Sequence, residues 1–218
     1  MRRFLRYPLT PEFTKYVNAK REWGIITDTK FRILAAREGH ETGISTVAFR
    51  LAYEDVLRKL PIGKTIEVYE LHTHPGVWPV AHSPSDILVD VNPNNTRMKE
   101  DFISRGIKIV AYGVVSKGGI GLIRYRGETQ KINESAGRLL AAKQKMYALK
   151  RAEEIIKRRG HTFNEYATDL LGKKEDEFIT ATAQNSTFRK AVREVPGITF
   201  RKINRRAKSG NRRKGWRY

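Results

Sequence analysis

The chain has 218 residues, enough for one sizeable core or for a medium domain with an appendage. It contains no cysteine, which excludes disulfides and thiolate metal sites and leaves histidine and carboxylates to hold any metal. Its formal net charge is +20, and no apolar run approaches the ~20 residues of a membrane span, so an anionic partner is expected and a membrane is not.

Thr10-Pro11-Glu12 reads as a helix start, with Phe13, Tyr16 and Val17 as its apolar stripe and an end near Asn18. Residues 21–26 read as a strand, 27–30 as a turn and 31–36 as a returning strand. After a loop at 39–43, Val47, Leu51, Val56 and Leu60 recur at helical spacing, with Ala48 and Ala52 beside them. Pro61-Ile62-Gly63 stops that helix. An apolar strand, 65–71, then leads into His72 and His74.

A loop rich in Gly and Pro covers 75–82, and Ser83-Pro84-Ser85-Asp86 opens a short helix through Val89. Asn92-Pro93-Asn94-Asn95 reads as a turn and 96–105 as a further helix closed by Gly106. The strongly apolar run 107–115 reads as a strand, paired through a turn at 116–119 with 120–126. Strands with helices between them predict one α/β (α+β) domain over residues 1–130.

Beyond residue 130 the composition shifts. Residues 1–130 hold 20 Lys/Arg against 14 Asp/Glu, whereas 131–218 hold 23 against 9, a net of +14. A long helix is expected over 133–159, on the spacing of Leu139, Ala142, Met146, Leu149, Ala152 and Ile156. Shorter helices are expected at 163–171 and 188–195, making 131–200 a basic helical extension. Residues 201–218 carry nine Lys/Arg and no acid, and are expected to be a disordered tail.

The chemistry concentrates in residues 70–86. On a strand, side chains two apart share a face, so His72 and His74 can reach one metal ion, their Cα atoms being about 6.5–7 Å apart. Asp86 is the nearest carboxylate that a short loop can return to them. Ser83-x-x-Asp86 is also a capping box, and the two roles are compatible if Asp86 turns from the first helical turn towards the histidines. Two histidines, one carboxylate and an open position match the composition of a catalytic zinc site.

His72-Thr73-His74-Pro75 followed by Ser83-x-x-Asp86 resembles the H-x-H-P…S-x-x-D signature of the JAMM (MPN+) metallopeptidases, over residues 8–130. That family includes deubiquitinases, desampylases and RadC-like bacterial and phage relatives. The gap from His74 to Ser83 is one residue longer than in several members. The resemblance implies a mixed sheet flanked by helices, Zn2+ held by His72, His74 and Asp86, and hydrolysis of an amide or isopeptide bond. It implies Glu22 as general base and Ser83 as hydrogen-bond donor to the oxyanion. The Glu22-to-Gly24 spacing is one residue shorter than the commoner family pattern, and Glu70, on the histidine face, is the rival carboxylate, expected either behind the ligands or in a salt bridge. The implied substrate is a protein or peptide, with ubiquitin-like modifiers and viral proteins among the options.

Trp78 either lines a substrate groove or packs, His82 reads as a loop side chain, and His40 and His161 read as surface residues. In the tail, Arg201, Lys202, Arg205, Arg206, Lys208, Arg212, Arg213, Lys214 and Arg217 are expected to contact nucleic acid phosphates, ahead of an acidic protein partner. Trp216 and Tyr218 add stacking surfaces. Without a signal peptide at its N-terminus, the chain is expected in the cytoplasm, or with virions if viral. The other reading is a nucleic-acid-binding or virion structural protein that uses the JAMM fold as a scaffold.

Overall fold

The computed structural model describes residues 11–40, 43–74, 81–125, 134–162 and 173–204. Helix α1 (Pro11–Val17) buries Phe13 and Val17 and is followed by the antiparallel pair β1 (Trp23–Asp28) and β2 (Ile33–Glu38). Both strands run about two residues later than the sequence pattern predicts, because Asp28 organises the turn. Its Oδ1 accepts from the Lys30 and Arg32 backbone N–H groups at 2.9 and 2.8 Å, and Phe31 takes a left-handed φ of 63°.

Helix α2 (Thr46–Lys59) starts at Ser45, whose side chain accepts from the Ala48 N–H. Its buried face is Ala48, Phe49, Ala52, Tyr53 and Val56. Val47 and Leu51, expected in the stripe, are 65% and 47% exposed. Rotating the helix this way buries the two aromatic side chains, which remove more apolar surface from water.

Next come β3 (Ile66–Thr73), α3 (Pro84–Asp90), α4 (Pro93–Ser104), β4 (Ile107–Ser116) and β5 (Gly119–Tyr125). The expected turn at 92–95 is instead the start of α4. Asn92 caps it, accepting from the Asn94 N–H, and Pro93 takes the first helical position. Helix α5 (Glu134–Arg158) forms close to the expected bounds, but Leu139, Met146 and Leu149 of the predicted stripe are exposed, while Leu140, Ala141, Ala152 and Ile156 are buried. The expected helix at 188–195 is the end of a longer one, α6 (Lys173–Arg193). The helix expected at 163–171 lies outside the described residues.

The tail expected from Arg201 onward does not begin there. Residues Ile198–Asn204 form β6, antiparallel to β5, with Ile123 opposite Phe200 and Gly121 opposite Lys202. Strand pairing satisfies the backbone of a segment whose composition alone is too polar to fold, and Ile198 and Ile203 bury their side chains as it pairs. The sheet is six-stranded in the order β2-β1-β3-β4-β5-β6, with β3 and β4 parallel and every other pair antiparallel. This is the mixed sheet with flanking helices of an α+β fold.

Alternate residues of each strand feed opposite faces. On one face Ile26, Val68 and Tyr112 pack against Phe49, Tyr53 and Val56 of α2 and Phe102 of α4. On the other, Ile25, Leu71 and Leu122 pack against Phe13 and Val17 of α1, with Ile203 of β6 in the same cluster. Towards β5 and β6, Ile123 and Ile198 join Ile87 of α3, Leu140 of α5 and Phe188 of α6. Helices α5 and α6 therefore share a core with the strand-and-helix unit that precedes them. Among the described residues no helix is long and apolar enough to cross a membrane.

Candidate metal centre

The site forms where β3 ends. Its register pairs Gly24 of β1 with His72. The Thr73 Oγ1 accepts from the Trp23 N–H at 2.9 Å, and continuing that register sets Glu22 across from His74. A side chain at Gly24 would be crowded, since a Cβ there would lie 3.1 Å from both Ile44 and Phe49. His74 is held by its backbone N–H, which donates to the Val115 carbonyl at 2.9 Å.

Helix α3 delivers the carboxylate. Ser83 caps it in a full capping box: the Ser83 Oγ accepts from the Asp86 N–H at 3.1 Å, and the Asp86 Oδ2 accepts from the Ser83 N–H at 2.7 Å. That same Oδ2 lies 3.5 Å from the Nε2 of both His72 and His74, and the two Nε2 atoms are 3.1 Å apart. Asp86 is thus both a cap and a member of the cluster. Among the described residues, His72, His74 and Asp86 are the group whose ligand atoms could hold a metal ion.

The electrostatics favour a cation. Burial opposes charge on His72 most strongly, yet the carboxylates of Asp86, Glu22 and Asp90 together outweigh it, Asp86 foremost, and raise the imidazole to about 9. Burial would push Asp86 up, but the two imidazoles hold its carboxyl well below the usual range. Glu22 sits within the field of all three. Burial raises its carboxyl, His72 and His74 lower it, Asp86 raises it again, and the balance is upward.

Sequence reasoning missed the surroundings of this cluster. His82 lies in the loop before α3, as expected, but it is 1% exposed, edge-on to His72 with ring centroids 5.9 Å apart, and stacked on Phe188 of α6. Neither of its ring nitrogens has a hydrogen-bond partner, and burial together with His72 holds it neutral, down to about 3. Adjacency to Ser83 is its one signal in the sequence. Glu70 is turned to a different task. Tyr53 Oη donates to its Oε2, and Lys99 Nζ lies 3.0 Å from its Oε1. Lys99 also reaches Asp90 of α3, at 3.2 Å. Nothing in the sequence around Lys99 marks it as buried.

Trp78 lies outside the described residues, as do Arg205, Arg206, Lys208, Arg212, Arg213, Lys214, Trp216 and Arg217. Arg201 is exposed on β6. Lys202 is half-buried on the same strand, where burial and the nearby Arg189 of α6 lower its ammonium. His40 is exposed, and its carbonyl accepts from the Glu22 N–H at 2.9 Å.

No protein-family model matches the chain, and neither a curated protein nor a solved structure does.

Proposed function

We propose that the chain is a zinc-dependent metallopeptidase of the JAMM type that hydrolyses an amide or isopeptide bond. One observation carries this reading: the triangle of His72 Nε2, His74 Nε2 and Asp86 Oδ2, with sides of 3.1, 3.5 and 3.5 Å. Three ligand atoms around a tetrahedral zinc lie about 3.3 Å apart when each is about 2.0–2.1 Å from the metal. The donor set suits the ion as well, because two imidazoles and one carboxylate leave a tetrahedral position open.

Zinc held by these residues supplies Lewis acidity, polarising the substrate carbonyl and making water more acidic. The chain's own groups do the rest. Glu22 takes a proton from the attacking water as its oxygen bonds to the carbonyl carbon. Its raised affinity for protons suits it to hold that proton until the C–N bond breaks, and then to deliver it to the leaving amine. The products are a carboxylate and a free amine. The Ser83 Oγ accepts from the Asp86 N–H and shares a 2.8 Å hydrogen bond with the Ser85 Oγ; with Ser85 as its donor, Ser83 keeps its own hydrogen to donate to the oxyanion.

The test is metal content and cleavage. Purified protein is expected to carry one zinc per chain and to cleave isopeptide or peptide substrates, including fusions to ubiquitin-like modifiers. His74→Ala should remove the zinc. Glu22→Gln should keep the zinc and lower turnover by about 10²–10⁴. Protein without stoichiometric zinc, or cleavage that survives His74→Ala, overturns the reading.

The net charge of +14 in residues 131–218 supports a second component, an anionic partner, with nucleic acid preferred over an acidic protein. Arg201 and Lys202 on β6 and the basic residues that follow would contact phosphates. If nucleic acid binds steeply with falling salt while zinc and cleavage are absent, the chain is instead a binding or virion structural protein on a JAMM-like scaffold.

A further inference from the structure

Behind the His72–His74–Asp86 triangle lies a second cluster with no part in the chemistry above. Lys99 of α4 is 5% exposed, and its ammonium lies 3.0 Å from Glu70 Oε1 and 3.2 Å from Asp90 Oδ1. It also sits over the Tyr112 ring, 4.2 Å from the centroid, while Tyr53 bonds the other oxygen of Glu70. Glu70 and Lys99 are thus buried together against the partly exposed Asp90, with one cation serving two carboxylates.

Stability is a poor account of this cluster. Removing charges from water is costly, and replacing a buried ion triad with apolar side chains is often neutral or stabilising. Its geometry offers a better one. Glu70 lies on β3 two residues before His72, on the same face. Asp90 lies on α3 four residues after Asp86, one helical turn away and on the same side. Ten residues of sequence separate the end of β3 from the start of α3. Lys99 joins the two elements directly.

We propose that Lys99 is a positioning residue for the metal centre: by binding Glu70 and Asp90 together, it sets the distance between the histidine strand and the Asp86 helix. A metal site tolerates errors of only about 0.2 Å in its ligand distances. Removing the tie therefore loosens the site, although no ligand is altered. This inference rests on reading His72, His74 and Asp86 as a metal centre.

Cobalt(II) titration, followed by its visible absorption, and zinc competition test the proposal. Two variants are compared with the wild type. Lys99→Met removes a positive charge near the site, so by Coulomb attraction alone it should tighten cation binding; a positioning role predicts the opposite. The double variant Glu70→Gln/Lys99→Met removes one group of each charge and avoids stranding two carboxylates. Both variants are expected to bind cobalt and zinc about ten-fold or more weakly, with an altered cobalt spectrum. A folded variant with wild-type affinity and spectrum, or tighter binding by Lys99→Met, overturns the role of Lys99. So does failure of both variants to fold, since the tie would then serve the fold rather than the site. Wild-type protein that binds neither metal overturns the metal centre itself, a different result from unchanged variants.

Discussion

His72 is the residue at which the site's electrostatics can be read without substrate. In metal-free protein its pKa is about 9, against 6.5 for the free side chain. The folded state then binds a proton that the unfolded state releases, so stability falls as pH rises. The contribution of His72 is complete below pH 6.5 and is lost as pH passes 9. The shift corresponds to roughly 3 kcal/mol. Urea unfolding in the presence of a chelator should therefore show stability declining from pH 6.5 to 9. Zinc-saturated protein should not show this decline, because a metal ligand must already have lost its proton. A flat profile in the chelated protein would remove the argument that Asp86 prepares His72 for a cation.

Helix α3 is the element on which the site depends. It has only seven residues, too few to be stable alone, and is held by its cap, by the burial of Ile87 and by the Asp90–Lys99 contact. Ser83→Ala removes the side-chain half of the capping box and is expected to cost about 1 kcal/mol in urea unfolding of the metal-free protein. An unchanged midpoint would show that α3 is held by packing alone. Local chemistry made this element legible: Ser83, Pro84 and Asp86 are a start signal whichever fold surrounds them. The same logic failed at α2 and α5. Spacing identified both helices, but choosing the buried face requires knowing what lies opposite. On α2 that face goes to Phe49 and Tyr53, while Val47 and Leu51 stay in water.

At the scale of the whole molecule, the C-terminal part is built into the sheet. Ile198, Phe200 and Ile203 of β6 pack into two clusters, and Phe188 of α6 stacks on His82 beside the His72–His74–Asp86 cluster. A chain ending at Gly197 keeps Phe188 but loses the three β6 side chains and the pairing of β5. By apolar burial this costs roughly 5 kcal/mol, equivalent to a fall of about 10 °C or more in Tm. A chain ending at Asn204 keeps the strand and should melt close to the full-length protein. It should also bind nucleic acid more weakly and with a shallower salt dependence, if the basic residues after 204 carry that contact. Equal melting temperatures for the two truncations would show that β6 is dispensable.

What is local was legible in the sequence: the starts of α1, α2, α3 and α5, the apolar strands, and the identity and two-residue spacing of His72 and His74. The sequence also pointed to Asp86 twice, because a cap and a candidate ligand can be read from one short motif. What these residues meet depends on the folded chain. Glu22 reaches the histidines through strand pairing across 50 residues of sequence, and Phe200 finds Ile123 across a still longer separation. Burial of Lys99 between two carboxylates depends on three elements meeting at one point. Periodicity and capping act within a few residues, whereas strand pairing and burial are settled by which surfaces the whole chain brings together.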